Sequence, residues 1–129
     1  MWHQHCDNPQ AIEHLYHTGP ALDAIDVYEI VLQRDGPFVQ LRIELPTFPD
    51  RPPAKWPAAA NAVQMTLTLV GVSELALDNW GSSNRGAITI EKTENRKLRF
   101  VVATDALHLT GLCLSIQIDR FSAYERAPD

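Results

Sequence analysis

Long apolar runs are missing from this chain. None approaches the roughly 20 residues of a spanning helix. The opening MWHQHCDNPQ has neither a basic stretch nor an apolar one, so no signal peptide is expected. Cysteine is scarce: Cys6 and Cys113 form no CxxC pair. Reduced thiols in a cytoplasmic protein are the simplest reading, with a Cys6–Cys113 bridge left open. Basic residues are in deficit, 11 against 16 acidic, for a net charge of −5. That argues against nucleic acid or an anionic membrane as the main partner, since both demand basic surface. It suits a basic protein partner, and it also suits plain solubility. The six glycines are scattered, so no loop cradles phosphate. There is no GxSxG, and no nucleophile, base and orienter can be assigned together.

What is present points to one β-rich domain over residues 1–129, without repeat or linker. The stretch Arg34–Trp56 organises it. Asp35-Gly36 signals a turn, and Pro37 can open a strand. Val39, Leu41, Ile43 and Leu45 then alternate with Gln40, Arg42 and Glu44, the mark of a half-buried antiparallel strand. Pro46, Pro49, Pro52, Pro53 and Pro57 follow, with Phe48 and Trp56 among them, so the connection is stiff and carries two rings that need somewhere to pack.

The remaining elements fall around that stretch. Asn8-Pro9 predicts a helix start, and Ile12, Leu15 and Tyr16 sit at helical spacing before Gly19-Pro20. One short helix over Pro9–His17 is expected, with Trp2 helping to cover the core. Val27–Gln33 pairs with Phe38–Leu45 in a first hairpin. Val63, Met65, Leu67 and Leu69 give a second clean period-two run; Leu75 and Leu77 continue past Gly71 as a short strand. Residues Trp80–Gly86 read as an exposed loop. Ala87–Lys92 and Lys97–Ala103 form a second hairpin around Glu94-Asn95. Leu107 and Leu109 share a face, and the parity then shifts to Leu112, Leu114, Ile116 and Ile118, which predicts a bulge or tight turn at Thr110-Gly111. Phe121 and Tyr124 precede a polar tail to Asp129. The fold class is mainly β: an antiparallel β-sandwich or partly closed barrel of about seven or eight strands with one short N-terminal α-helix. Two sheets, or one curled sheet plus the helix, would share the core.

Several chemistries have partial signatures. His3, His5, His14 and His17 lie near Cys6 and Asp7, and His14 and His17 share a helix face, yet the spacing matches no strong zinc signature. Solvated side chains at a terminus are the plainer reading, so no metal site is assigned. Cys113 reads as a small residue on a sheet face, with His108 pointing away from the core. Glu74 and Asp78 share strand parity and could serve as paired carboxylates, but a solvated face is the commoner use. Arg96, Lys97 and Arg99 are balanced by Glu91 and Glu94. Trp56 and Trp80 could form a sugar-stacking platform, although Trp56 sits in its proline clamp and reads as packing.

The assembled pattern resembles the immunity protein 50 family. The likeness runs from Met1-Trp2 and the Asn8-Pro9 helix with Leu15-Tyr16 to Arg34-Asp35-Gly36-Pro37. It continues through Leu45-Pro46, Phe48-Pro49, Pro52-Pro53, Lys55-Trp56 and Asn61 to Gly71-Val72, Leu75, Trp80-Gly81 and Ser122-Ala123-Tyr124. The proline-tryptophan segment is its most specific part. The resemblance implies a small bacterial protein from a polymorphic toxin locus that binds and neutralises a cognate toxin, with no catalysis and no cofactor. It carries no toxin-contacting residues with it.

Neutralisation implies binding at nanomolar strength or tighter, about −12 kcal/mol, from an interface near roughly 1,600 Å². Acidic surface would speed capture of a basic toxin. The candidate partner-binding residues are Asp50, Arg51, Glu74, Asp78, Trp80, Asn84, Arg85 and Asp105. Trp80 is either an exposed hot spot or a lid on the core edge. The alternative function is a small β-barrel ligand- or carbohydrate-binding module, which would carry an apolar pocket of ligand size. A metal-dependent enzyme is the third reading.

Overall fold

A computed structural model describes residues 1–127. Eight antiparallel strands form one sheet that does not close into a barrel. They are β1 (Ile25–Gln33), β2 (Phe38–Glu44), β3 (Ala62–Val70), β4 (Ser73–Asp78), β5 (Arg85–Lys92), β6 (Leu98–Thr104), β7 (His108–Cys113) and β8 (Ser115–Tyr124). Their order is β4-β7-β6-β5-β1-β2-β3-β8.

Connection lengths show how this sheet must curl. Strands β3 and β4 lie nearly a full sheet apart in the order, yet only Gly71 and Val72 separate them. Leu114 alone separates β7 from β8. Two residues span too little distance to cross a flat sheet. The β3–β8 ribbon therefore runs on into the β4–β7 ribbon through a bend, and the sheet folds over itself. Gly71 makes the bend at φ +68, and Leu114 lies against it so closely that a β-carbon there would meet the leucine side chain at 2.7 Å. Inner-face residues from both halves then share one core: Val39, Leu41, Ile43, Met65, Leu67 and Ile118 from one side, Ile88, Phe100, Val102 and Leu109 from the other. The single curled sheet is one of the two arrangements that the alternation permits.

The parity break predicted at Thr110-Gly111 occurs instead at Leu114-Ser115. Leu109, Gly111 and Cys113 face inward, Leu114 is exposed, and Ile116 and Ile118 resume the inner face. The sequence misleads here because Leu112 and Leu114 outrank Gly111 and Cys113 in hydrophobicity. The ring of Phe100 fills the space over Gly111 that a leucine would otherwise supply.

The helix is also shorter than expected. The α-helix, α1, covers Gln10–Glu13, and a 3-10 turn, Trp2–His5, precedes it. Asn8 does not cap it. Its side chain donates to the carbonyl of Ile118 at 2.7 Å and accepts from the Ile118 N–H at 2.9 Å, while the Asp7 N–H donates to Ile116 at 2.8 Å. The N-terminal segment thus covers the outer edge of β8. Ile12, Leu15 and Tyr16 pack into the core as predicted, and Trp2 is half-buried against it with its indole N–H on the Pro20 carbonyl.

His3 is buried in this segment, and burial holds its pKa below the ordinary value; Glu13 opposes this shift and the amino terminus adds to it. A depressed histidine contributes stability that is present above about pH 6.5 and lost as pH falls, because the unfolded chain then takes up a proton that the native chain resists. Thermal unfolding midpoints at pH 7.5 and 5.5 should therefore differ more in the parent than in His3→Phe. Equal differences would show that His3 does not titrate with unfolding.

Candidate functional site

The proline-rich connection holds α1 in place. Tyr16 donates its hydroxyl to the Thr47 carbonyl at 2.7 Å, and Arg51 donates to the carbonyls of Glu13 and Tyr16 at the end of the helical segment. Asp50 accepts from the His17 N–H at 2.9 Å. Phe48 and Trp56 pack edge to face, 5.9 Å between ring centres, against the core. Trp56 is therefore packing, as expected. Asp50 and Arg51 are exposed but tied to the helical segment, away from the other candidates.

The other six candidates lie along β4 and the loop after it, with Asp105 joining from the β6–β7 turn. Trp80 is 47% exposed, so it is not a lid on the core. Glu74 and Asp78 are exposed on β4, and neither is in an ion pair among the described residues. Glu74 sits at φ 51 in a register shift between Ser73 and Ala76. Arg85 pairs with Asp26 at 3.8 Å, and Asp105 accepts from the Arg85 N–H and the Ser83 hydroxyl. Asn84 is the exception: only 2% is exposed. Its amide donates to Val27 and Gly81, and its oxygen accepts from the Gly81 N–H. It therefore cannot present its side chain to a partner. It fixes the loop that presents Trp80.

Sequence reasoning missed the apolar part of this surface. Tyr28, Leu32, Leu75 and Leu77 are exposed together with Trp80. They line two adjoining concavities of about 330 and 450 Å³ between β1 and β4. Large side chains grouped in this way mark an interaction surface more often than scattered ones do. The period-two pattern placed these residues on strands. It held no sign that nothing would cover them.

A different concavity, about 570 Å³, lies on the outer face of β1, β2, β3 and β8. Its lining is polar, unlike the apolar pocket expected of a small-ligand module. Arg42 donates to Glu29 and Gln64, and Gln40 donates to Thr68, which bonds Asp119. Outside this concavity, Glu44 at the end of β2 is buried, accepting from the Tyr124 hydroxyl at 2.5 Å and from Arg126 at 2.8 Å. Burial, followed by this bond to Glu44, pushes the Tyr124 hydroxyl pKa up.

The thiols are buried and free. Burial raises Cys6 to about 12, with Asp7 and Cys113 adding to the shift, and raises Cys113 to about 11. Thiols held protonated in this way are poor nucleophiles. Among the described residues, no three of His, Cys, Asp and Glu come together as a metal site, and no helix is long and apolar enough to cross a membrane.

The model of the immunity protein 50 family matches residues 8–124. The chain belongs to this family. No curated protein and no solved structure matched. The matched residues of this immunity protein 50 member take in the proline clamp, the bend at Gly71 and the Trp80 loop.

Proposed function

We propose that this chain binds and neutralises a cognate toxin in the cytoplasm of the bacterium that makes it, by protein–protein contact and without catalysis. Family membership over residues 8–124 carries this reading. The surface beside Trp80 supports it, since an exposed tryptophan among apolar neighbours and unpaired carboxylates has the makeup of a binding hot spot. A net charge of −5 fits a binder of a basic protein.

The test is capture from the native bacterium with this chain tagged, followed by growth assays. Recovery of one stoichiometric partner whose C-terminal domain kills cells, and rescue of those cells by this chain, is the expected result. A chain that recovers no toxin, or fails to rescue growth, would refute the reading.

Glu74 and Asp78 are expected to steer that encounter. Reversing both to lysine should slow association with the toxin about tenfold at low salt, with the difference shrinking at high salt. An unchanged rate at low salt would remove these carboxylates from the contact surface.

A further inference from the structure

The sheet has two outer edges, and they are treated differently. Asp7 and Asn8 cover β8. Strand β4 pairs only with β7 among the described residues, so its other edge is bare. A second bare edge faces it. Among the described residues, strand β1 pairs with β5 only at Ile25 and Asp26, after which the Val27 N–H donates to Asn84; Tyr28 sits in a register shift, and from Glu29 to Gln33 the strand pairs with β2 alone. Trp80 and Leu77 lie beside Tyr28 and Ile30 at one end of the intervening groove. Leu75 and Ser73 lie beside Leu32 and Gln33 at the other.

Register shows which way the groove faces. Residues directly opposite on paired strands point to the same side of the sheet. Ile30 is opposite Leu41, Leu32 opposite Val39, and Leu77 opposite Leu109. All three partners are buried in the core. Ile30, Leu32 and Leu77 therefore point inward, yet Leu32 is 56% and Leu77 46% exposed. Along this seam the core is left open.

We infer that the β1–β4 groove takes an extended segment of the toxin, carrying alternating apolar and basic residues, as an added strand that completes the core. This rests on the toxin-binding reading above. The bare edge of β1 supplies backbone donors and acceptors, and alternate apolar side chains of the segment fall on Ile30, Leu32, Leu75 and Leu77. A basic occupant fits best: Glu74 lines the groove and Asp78 follows Leu77 at its edge, neither in an ion pair among the described residues, and Arg34 is the one cation in the lining against them. The same charges oppose a second copy of this chain. Symmetric antiparallel pairing of two β4 edges about Ala76 sets Glu74 opposite Asp78 of the second copy, twice, and like charges directly opposite are destabilising.

The experiment is amide hydrogen exchange on the complex of this chain with the toxin domain that it protects against, beside affinity measurements on variants. Exchange in residues 28–33 and 75–78 should slow in the complex. Leu32→Lys and Leu77→Lys should each weaken binding about 30-fold or more, the effect of a desolvated anchor. Leu114→Lys, at an equally exposed leucine on the bend, should leave binding unchanged. All three sites are exposed, and matching circular dichroism and unfolding midpoints would confirm that the variants fold. A complex that forms and protects cells while residues 28–33 and 75–78 exchange as in the free protein overturns the groove alone. Full affinity in both groove variants does the same. If no toxin is bound or neutralised, the underlying reading falls and this one falls with it.

Discussion

Gly86→Val should lower the free energy of unfolding by about 3 kcal/mol or more, the upper end of overpacking costs. Gly86 is the joint of the curled sheet. It pairs with Ile25 on β1 and with Thr104 on β6, so it holds together the two halves where they share fewest residues. The constraint is space. A β-carbon at Gly86 would lie 2.1 Å from the Ala103 carbonyl oxygen and 2.5 Å from the Thr104 α-carbon. Those are backbone atoms, held in place by the β6 ladder, so no side chain can swing aside to relieve the clash. The strands must separate, and the β1–β5 pairing is short enough that separation there undoes it. Urea unfolding measures the loss. Thr89→Ala, at an exposed position on the same strand, should stay within about 0.5 kcal/mol of the parent. A Gly86→Val protein as stable as that control would mean that β5 and β6 have more room than this packing allows.

The second large effect lies at Phe100. The ring is almost wholly buried and lies opposite Gly111 on β7. Phe100→Ala should cost about 3–5 kcal/mol, from lost burial and from the cavity left behind. Gly111→Ala alone should cost about 1–3 kcal/mol, because its β-carbon would meet the ring at 2.6 Å. The two substitutions should not add. With the ring gone, the alanine enters vacated space, and the Ser73 carbonyl, 3.3 Å from the new carbon, is the next atom it meets. The double variant should therefore be more stable than the sum predicts by about 1 kcal/mol or more. Strict additivity would show that the ring does not rest on Gly111. This pair also explains the misplaced parity break. A glycine under an aromatic ring belongs to the core without looking hydrophobic, and an exposed leucine at the neighbouring bend looks as if it does.

Local chemistry fixed much of this protein. Alternation in β2 and β3 set which side chains face the core, because the strand period is two and a one-residue slip would expose every apolar group. Turn residues placed both hairpins, and the prolines after Leu45 marked a connection that could not enter the sheet. The candidate surface was legible only in part. The exposure of Glu74, Asp78 and Trp80 was legible because charge and a large ring stand out in a strand-to-loop segment. Asn84 was assigned to the surface although it is buried, since an asparagine in a polar loop gives no sign that backbone groups of Val27 and Gly81 will surround it. Asn8 was assigned to a helix although its partner is Ile118, more than a hundred residues away in the chain.

The sequence by itself determined most strands, the inner faces of β2 and β3 and the stiff clamp, all of which depend on neighbours a few residues apart. Only the tertiary structure decided that the strands form one curled sheet and that β1 leaves β5 after Asp26. It also decided that Ile30, Leu32 and Leu77 point inward while the seam over them stays open. Those outcomes depend on which strands meet across the fold. A strand carries the same alternation whether its edge is paired or bare, so the pattern along the chain cannot report what covers it.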